Sequence, residues 1–309
     1  MRVLQCLGRV IVAVFLLVMI AVVHAEETRF RVGGYLPDYR AASVPAGVAL
    51  QLTDAILFSI EVTPEGSLNE KRWNAGHWEA SKTLRSRAGL RTHICVGGWD
   101  RSAGLAEICQ SPAARQRLAK SLVAFCQLHA LSGVNLDWEH PSTAAEQQGL
   151  ATLLGELQPV FRVAKLELSL AVAPSQKLPK EAWAAVDHVM LMSYDDAGKH
   201  STFESCQKHL GLLLDQGVPA SKVVLCLPLY GRQVTNREAL TYAEIVKKYA
   251  PRPDVDEVDG IFFNGPGTVA AKTAWAQSVG LAGVAVWELG QDAPGEAALL
   301  KQIHTTVRR

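Results

Sequence analysis

Several functional signatures are missing from this 309-residue sequence. No nucleotide-binding loop follows the first strand-like segment, where Gly33-Gly34-Tyr35-Leu36-Pro37 lacks the spacing of a phosphate-cradling turn. Nine histidines include no HExxH or other paired ligand spacing, so neither a metal nor a cofactor is implied. The acidic stretch from Asp254 to Gly260 approaches a calcium loop, but Gly265 stands where the twelfth-position glutamate belongs, which favours a solvated surface loop. Charge of one sign is not in excess, with 31 Lys+Arg against 30 Asp+Glu, and nothing calls for nucleic acid or another polyanion as partner. No Pro/Gly/Ser linker or low-complexity tract divides the chain.

Long apolar runs are scarce as well. Only Val10 to Val23, an uncharged stretch preceded by Arg2 and Arg9, is strongly hydrophobic, and its 14 residues fall short of the roughly 20 that span a bilayer. With Val23-His24-Ala25 as an A-x-A type cleavage site, residues 1–25 read as a signal peptide and 26–309 as a single exported domain, periplasmic or secreted. No membrane contact is expected after cleavage, and a monomer is expected. Five cysteines remain in the mature chain, an odd number that leaves at least one unpaired within the chain. Cys95 and Cys226 sit in apolar strand-like runs and read as small buried hydrophobes.

Eight β-rich segments alternate with helical patterns: Phe30–Tyr35, Asp54–Ile60, Thr92–Gly97, Gly133–Trp138, Leu166–Ala173, His188–Ser193, Val223–Leu229 and Ala282–Trp287. Between them, Leu150, Leu153, Leu154 and Leu157, and likewise Leu210, Leu213 and Leu214, follow helical spacing. Eight such units predict an α/β fold of the (β/α)8 TIM-barrel type, about 250 residues in size. A doubly wound open sheet, the rival, calls for the phosphate loop that is missing. The 53 residues from Gly231 to Gly283 read as two helical patterns, without a large α+β insertion between the seventh and eighth strands.

A barrel places its functional residues at the carboxyl ends of its strands. Those ends carry Tyr35 and Asp38, Glu61, Trp99 and Asp100, Asp137 and Glu139, Tyr194 and Asp195, Tyr230 and Arg232, then Trp287 and Glu288. Most telling is Ser132-Gly133-Val134-Asn135-Leu136-Asp137-Trp138-Glu139, in which alternation sets Asn135, Asp137 and Glu139 on one face and turns Trp138 to the other. Two carboxyls whose Cα atoms lie about 6.6 Å apart can raise one another's pKa and supply a general acid near neutral pH. Aromatic faces beside carboxylates suit a pyranose ring, so a sugar substrate is expected.

The octapeptide resembles the D-G-x-D-x-D-x-E signature of glycoside hydrolase family 18, the chitinase and endo-β-N-acetylglucosaminidase family. Further resemblances occur in the family's order: His93-Ile94-Cys95-Val96-Gly97-Gly98-Trp99 to its S-x-G-G motif, Met192-Ser193-Tyr194-Asp195 to M-x-Y-D, Leu227 to Arg232 to the end of the seventh strand, and Trp287-Glu288 to the subsite-floor tryptophan. The resemblance implies a retaining hydrolase acting on N-acetylglucosamine-containing oligo- or polysaccharides, in which the substrate's acetamido group replaces an enzymic nucleophile. It implies Glu139 as acid and base, Asp137 as orienter of the acetamido N–H, and Tyr194 as its carbonyl's partner. Trp287, Asp195 and Met192 would line the floor, with Tyr35, Trp99, Tyr230 and Arg232 as further sugar contacts. Ser132, Asn135 and Cys95 depart from the family pattern, which has Asp, Asp and Ser there. Asn135 is expected to support Asp137 by a hydrogen bond without a charge. Chitin or chito-oligosaccharide is the first substrate; peptidoglycan, N-glycan cores and a non-hydrolytic chitinase-like lectin are the alternatives.

Overall fold

In the computed structural model, which describes residues 30–44 and 46–308, eight parallel strands close into a barrel. In chain order the strands are β1 (Arg31–Pro37), β2 (Asp54–Val62), the short β3 (Leu68–Asn69), β4 (Arg91–Gly97), β5 (Gly133–Asp137), β6 (Glu167–Val172), β7 (His188–Met192), β8 (Val223–Pro228), β9 (Tyr230–Gln233), β10 (Ala239–Thr241), β11 (Glu257–Val258), β12 (Ile261–Phe262) and β13 (Gly283–Trp287). The barrel runs β1-β2-β4-β5-β6-β7-β8-β13, and β13 pairs back onto β1 with Arg31 opposite Gly283. Each predicted strand is present with its ends within two residues of the expected bounds. The chain divides into two units, Met1–Phe30 and Arg31–Arg309; the signal-peptide reading lies outside the described residues. No helix among the described residues is long and apolar enough to cross a membrane.

The helices follow from local chemistry. Ala144–Ala164 begins with a capping box, in which Thr143 and Glu146 satisfy each other's backbone N–H groups, and it buries Leu150, Leu153, Leu154 and Leu157 against the sheet. Phe203–Leu214 is capped by Thr202 and buries Leu210 and Leu213; Leu214, read from its spacing as part of the same stripe, is exposed. Strands covered on both faces read as continuous apolar runs, as β2 does in DAILFSIEV.

The barrel interior is layered. At its amino-terminal end, Arg31 bridges Asp54 (3.0 Å) and Glu167 (2.8 Å), Arg91 grips Asp54 from the other side (2.8 and 3.0 Å), and His93 adds a contact of 3.2 Å. Two guanidiniums already balance the two carboxylates there. Above them, Tyr35, Ile56, Phe58, Cys95, Ala171, Met190, Val224, Cys226 and Ala285 fill the middle. Asp137 and Trp287 lie at the carboxyl-terminal mouth.

The 53-residue connection holds more than two helices. Tyr242–Tyr249 and Pro266–Ser278 are present, but so is a four-stranded antiparallel sheet in the order β10-β9-β12-β11. The insertion is therefore a small α+β unit: the large one is absent, as expected, while the sheet corrects the purely helical reading. The five described cysteines are all buried and none forms a disulfide. Burial pushes the Cys95 thiol well above its ordinary value, and those of Cys109 and Cys126 up to about 12, which leaves these thiols inert.

Candidate active site

Asp137 ends β5, and Glu139 follows it over the barrel mouth. The approach of β4 to β5 is close because Gly97 and Gly98 take φ of +95° and +104° and carry no Cβ. A methyl group on Gly97 would lie 2.2 Å from the Asp137 carbonyl, and one on Gly98 would lie 2.3 Å from the Phe58 ring. Gly98 instead donates its N–H to the Asp137 carbonyl (2.6 Å), and Ser102 bonds the Glu139 N–H (3.2 Å). The Gly-Gly pair thus brings the segment bearing Trp99 against the segment bearing the carboxyls.

Both carboxyls are held toward the neutral form. Burial pushes Glu139 up to about 7; a backbone N–H at Trp99 opposes the shift, and the Asp195 and Asp100 charges add to it. Asp137, 2% exposed, is raised by burial and then by the charge of Glu139. Its Oδ1 is buried and has no hydrogen-bond partner among the described residues. Such an acceptor, left unpaired, costs stability unless a ligand donates to it.

Around the pair opens a cleft of about 880 Å³. Every sequence-predicted site residue except Asn135 borders it: Tyr35, Trp99, Asp137, Glu139, Met192, Tyr194, Asp195, Tyr230, Arg232 and Trp287. Trp287 forms an aromatic floor, edge-on to Phe58 at 4.8 Å and tilted against Tyr35 at 5.4 Å. Tyr194 stands edge-on to Tyr230 at 6.2 Å, and burial raises its hydroxyl pKa well above 10, so it stays a hydrogen-bond donor. Trp99 is 66% exposed at the rim. Burial opposes ionisation of Asp195, but the Arg232 guanidinium bonded to it outweighs that and keeps the carboxyl below its ordinary value. Tyr230 donates to the same carboxylate at 2.9 Å.

Asn135 is placed otherwise than expected. Its Oδ1 accepts from the Tyr35 hydroxyl (3.0 Å) and its Nδ2 donates to Ser169 Oγ (2.9 Å), so its bonds run across the barrel to β1 and β6 rather than up β5 to Asp137. Other strand-end residues turn away from the cleft: Asp38 pairs with Arg101, Glu61 with Arg72, and the fully buried Glu288 with Arg40. Trp138 is buried, as its alternation predicts. Reasoning from sequence missed Phe58, His140, Asp196, Lys208 and His209, all on the cleft wall, and Arg237. Arg237 holds the backbone carbonyls of Asp195 (2.9 Å) and Asp196 from the β9–β10 hairpin. Only His140 had a legible signal, its position next to Glu139.

A (β/α)8 barrel with two sheltered carboxyls over an aromatic floor at its carboxyl-terminal mouth has the arrangement of a glycoside hydrolase. The chain belongs to the glycosyl hydrolases family 18, whose model matches residues 31–292. It is 23% identical to chitinase 1 of Aphanocladium album, over 88% of this chain and 82% of that one. It is 26% identical to probable chitinase 2 of Drosophila melanogaster, over 80% of this chain and 54% of that longer protein. Among solved structures, the family 18 chitinase ChiB of Flavobacterium johnsoniae superposes with a TM-score of 0.81 at 25% identity, covering 91% of this chain and 94% of that one. A mutant chitinase of Cycas revoluta in complex with (GlcNAc)4 gives a TM-score of 0.78 at 22% identity, over 89% and 99% of the two chains.

Proposed function

We propose that this glycoside hydrolase cleaves β-1,4 bonds of N-acetylglucosamine-containing glycans, chitin or chito-oligosaccharides first, with retention of configuration. The observation that carries this reading is a carboxyl held near pH 7 at Glu139 beside an Asp137 oxygen that is buried and unpaired. The sugar whose bond breaks stacks on Trp287, with Met192, Asp195 and Tyr35 around it and Trp99, Tyr230 and Arg232 as outer contacts. Glu139 gives its proton to the glycosidic oxygen as the C1–O bond breaks, and the acetamido carbonyl oxygen of the same sugar closes onto C1. Asp137 accepts the acetamido N–H and stabilises the cationic ring so formed, while the Tyr194 hydroxyl donates to the acetamido oxygen and aims it. Water then opens that ring, returning its proton to Glu139. Positioning within one substrate molecule supplies several kcal/mol of the rate, and the general acid roughly 10²–10⁴-fold. The named chitinases among the relatives, and the (GlcNAc)4 held by the Cycas revoluta protein, support this choice of substrate.

The test uses wild type and Glu139→Gln on chito-oligosaccharides, peptidoglycan and a glycoprotein. Turnover of the chito-oligosaccharides by wild type, lost at least a hundredfold in Glu139→Gln with binding retained, is expected. Equal binding by both with no turnover of any glycan would overturn the reading in favour of a lectin. We also propose that residues 1–25 direct export and that the mature chain begins at Glu26, on the charge and hydropathy pattern given above, and that the mature chain is a monomer. Mass spectrometry of the protein from its host and its sedimentation test this, and an intact Met1 would contradict it.

A further inference from the structure

His140 follows Glu139 directly, and its Nε2 stands 3.7 Å from Glu139 Oε2. Both side chains border the cleft, but unequally: the carboxyl is 15% exposed and the imidazole 38%. The ring therefore meets bulk water while the acid beside it is sheltered. Glu139 is faced by Asp137 from its own strand, by Asp195 from the segment after β7 and by Asp100 from the loop after β4. Its charge also reaches the neutral Tyr35, Tyr194 and Cys95. The buried Gln176, from the segment after β6, favours the imidazolium form of His140.

We infer that His140 and Glu139 share one proton, and that His140 thereby acts as a positioning residue that sets the upper pH limit at which Glu139 still serves as an acid. The inference rests on the reading of Glu139 as the general acid. Two one-proton forms exist: a protonated carboxyl beside a neutral ring, and a carboxylate beside an imidazolium. At 3.7 Å the two atoms are beyond hydrogen-bond reach, so the forms interconvert by loss of the proton from one group to solvent water and its uptake by the other, with no other bond made or broken. The surrounding carboxylates favour the form that keeps a proton in the site, and the ion-paired form adds to its population. The last proton therefore leaves the pair at a higher pH than it would leave Glu139 alone. Burial brings the Glu139 carboxyl up to about 7, into the ordinary range of an imidazole; burial also lowers the His140 ring, and Gln176 opposes that lowering.

The test is a pH titration of the histidine ring nitrogens by NMR on the full chain, with the His140 signals assigned through His140→Asn. In the wild type the His140 ring is expected to show two inflections, the upper near pH 7 and shared with the Glu139 carboxyl. In Glu139→Gln it should titrate once, with a midpoint lower by about half a unit or more. Identical His140 curves in the two proteins would overturn the inference. Should Glu139→Gln not fold, the Glu139 Cδ signal in His140→Asn reads the same coupling: its inflection falls if the proton is shared, and an unmoved inflection overturns the inference. In activity, His140→Asn should shift the basic limb of kcat/KM for chito-oligosaccharides to lower pH and leave KM within about twofold. Absence of any glycan turnover would sink the proposed function while leaving the titration result standing.

Discussion

Asn135 sits one layer below the Asp137–Glu139 carboxyl pair, with its amide divided between Tyr35 and Ser169. Its sequence position suggested Asp137 as partner, but residues two apart on a strand are about 6.6 Å apart, whereas Ser169 stands directly opposite on neighbouring β6, about 4.8 Å away, and the Tyr35 hydroxyl reaches Asn135 across the barrel interior from β1. That distinction is invisible until the strand order is known. Asn135→Asp would place a third carboxyl in the stack, where both Tyr35 and Ser169 could donate to it. Added negative charge raises the pKa of Asp137 and Glu139, so the basic limb of the pH–rate curve should move up by roughly half to one unit. A pH–rate curve unmoved on either limb would contradict this. At Glu139 the outcome is larger, because Glu139→Gln keeps the shape and removes the proton: a loss of about 10²–10⁴-fold in kcat, measured on a soluble chito-oligosaccharide.

Strands of the barrel were legible because each is a run of five to nine residues, rich in β-branched and other apolar side chains, between helical patterns, long enough for periodicity to register. The insertion's sheet was not, since its four strands have two to four residues each and pair only with one another, through contacts between segments well separated in sequence. Yet this sheet holds part of the cleft wall: Arg232 on β9 grips the Asp195 carboxylate, and Arg237 at the hairpin turn grips the carbonyls of Asp195 and Asp196. Arg237→Ala should free that loop and lower kcat/KM about tenfold. The melting temperature should change little, because the Arg237 side chain is partly exposed. A fall in melting temperature of many degrees with unchanged kcat/KM would show a stabilising role alone. Trp287→Ala, at the end of β13, removes the floor and its contacts with Phe58 and Tyr35. KM should rise roughly tenfold or more, read from initial rates. With no large unit over the cleft, cuts within long chains are expected; strict release of one end unit, seen by product chromatography, would contradict a shallow open cleft.

Acidification should unfold the whole molecule through buried groups other than the Asp137–Glu139 pair. Burial alone would raise Asp54, but His93, Arg91 and Arg31 outweigh it and hold the carboxyl far below its ordinary value, so its contribution is present above about pH 4 and lost as pH falls further. His188 and His200 act earlier. Burial lowers both rings to about 4, and His200 is fully buried with neither ring nitrogen hydrogen-bonded, its Nδ1 lying 3.8 Å from an Asp195 oxygen. The unfolded chain takes up these protons near pH 6.5 while the folded one does not, so stability is lost as pH falls from about 6.5 to 4, by up to about 3 kcal/mol for each ring. Urea midpoints should therefore drop between pH 7 and pH 4.5, and His200→Phe should flatten the slope; equal midpoints at both pH values would contradict the assignment. The same polar floor leaves the carboxyl-terminal mouth as the working end of the barrel, where the central claim applies: the substrate's own acetamido group attacks, with Glu139 as acid and then base. The most direct measurement is the anomeric form of the first product released from an N-acetylated chito-oligosaccharide, followed by NMR before mutarotation. The account predicts the β-anomer, whereas release of the α-anomer would contradict it.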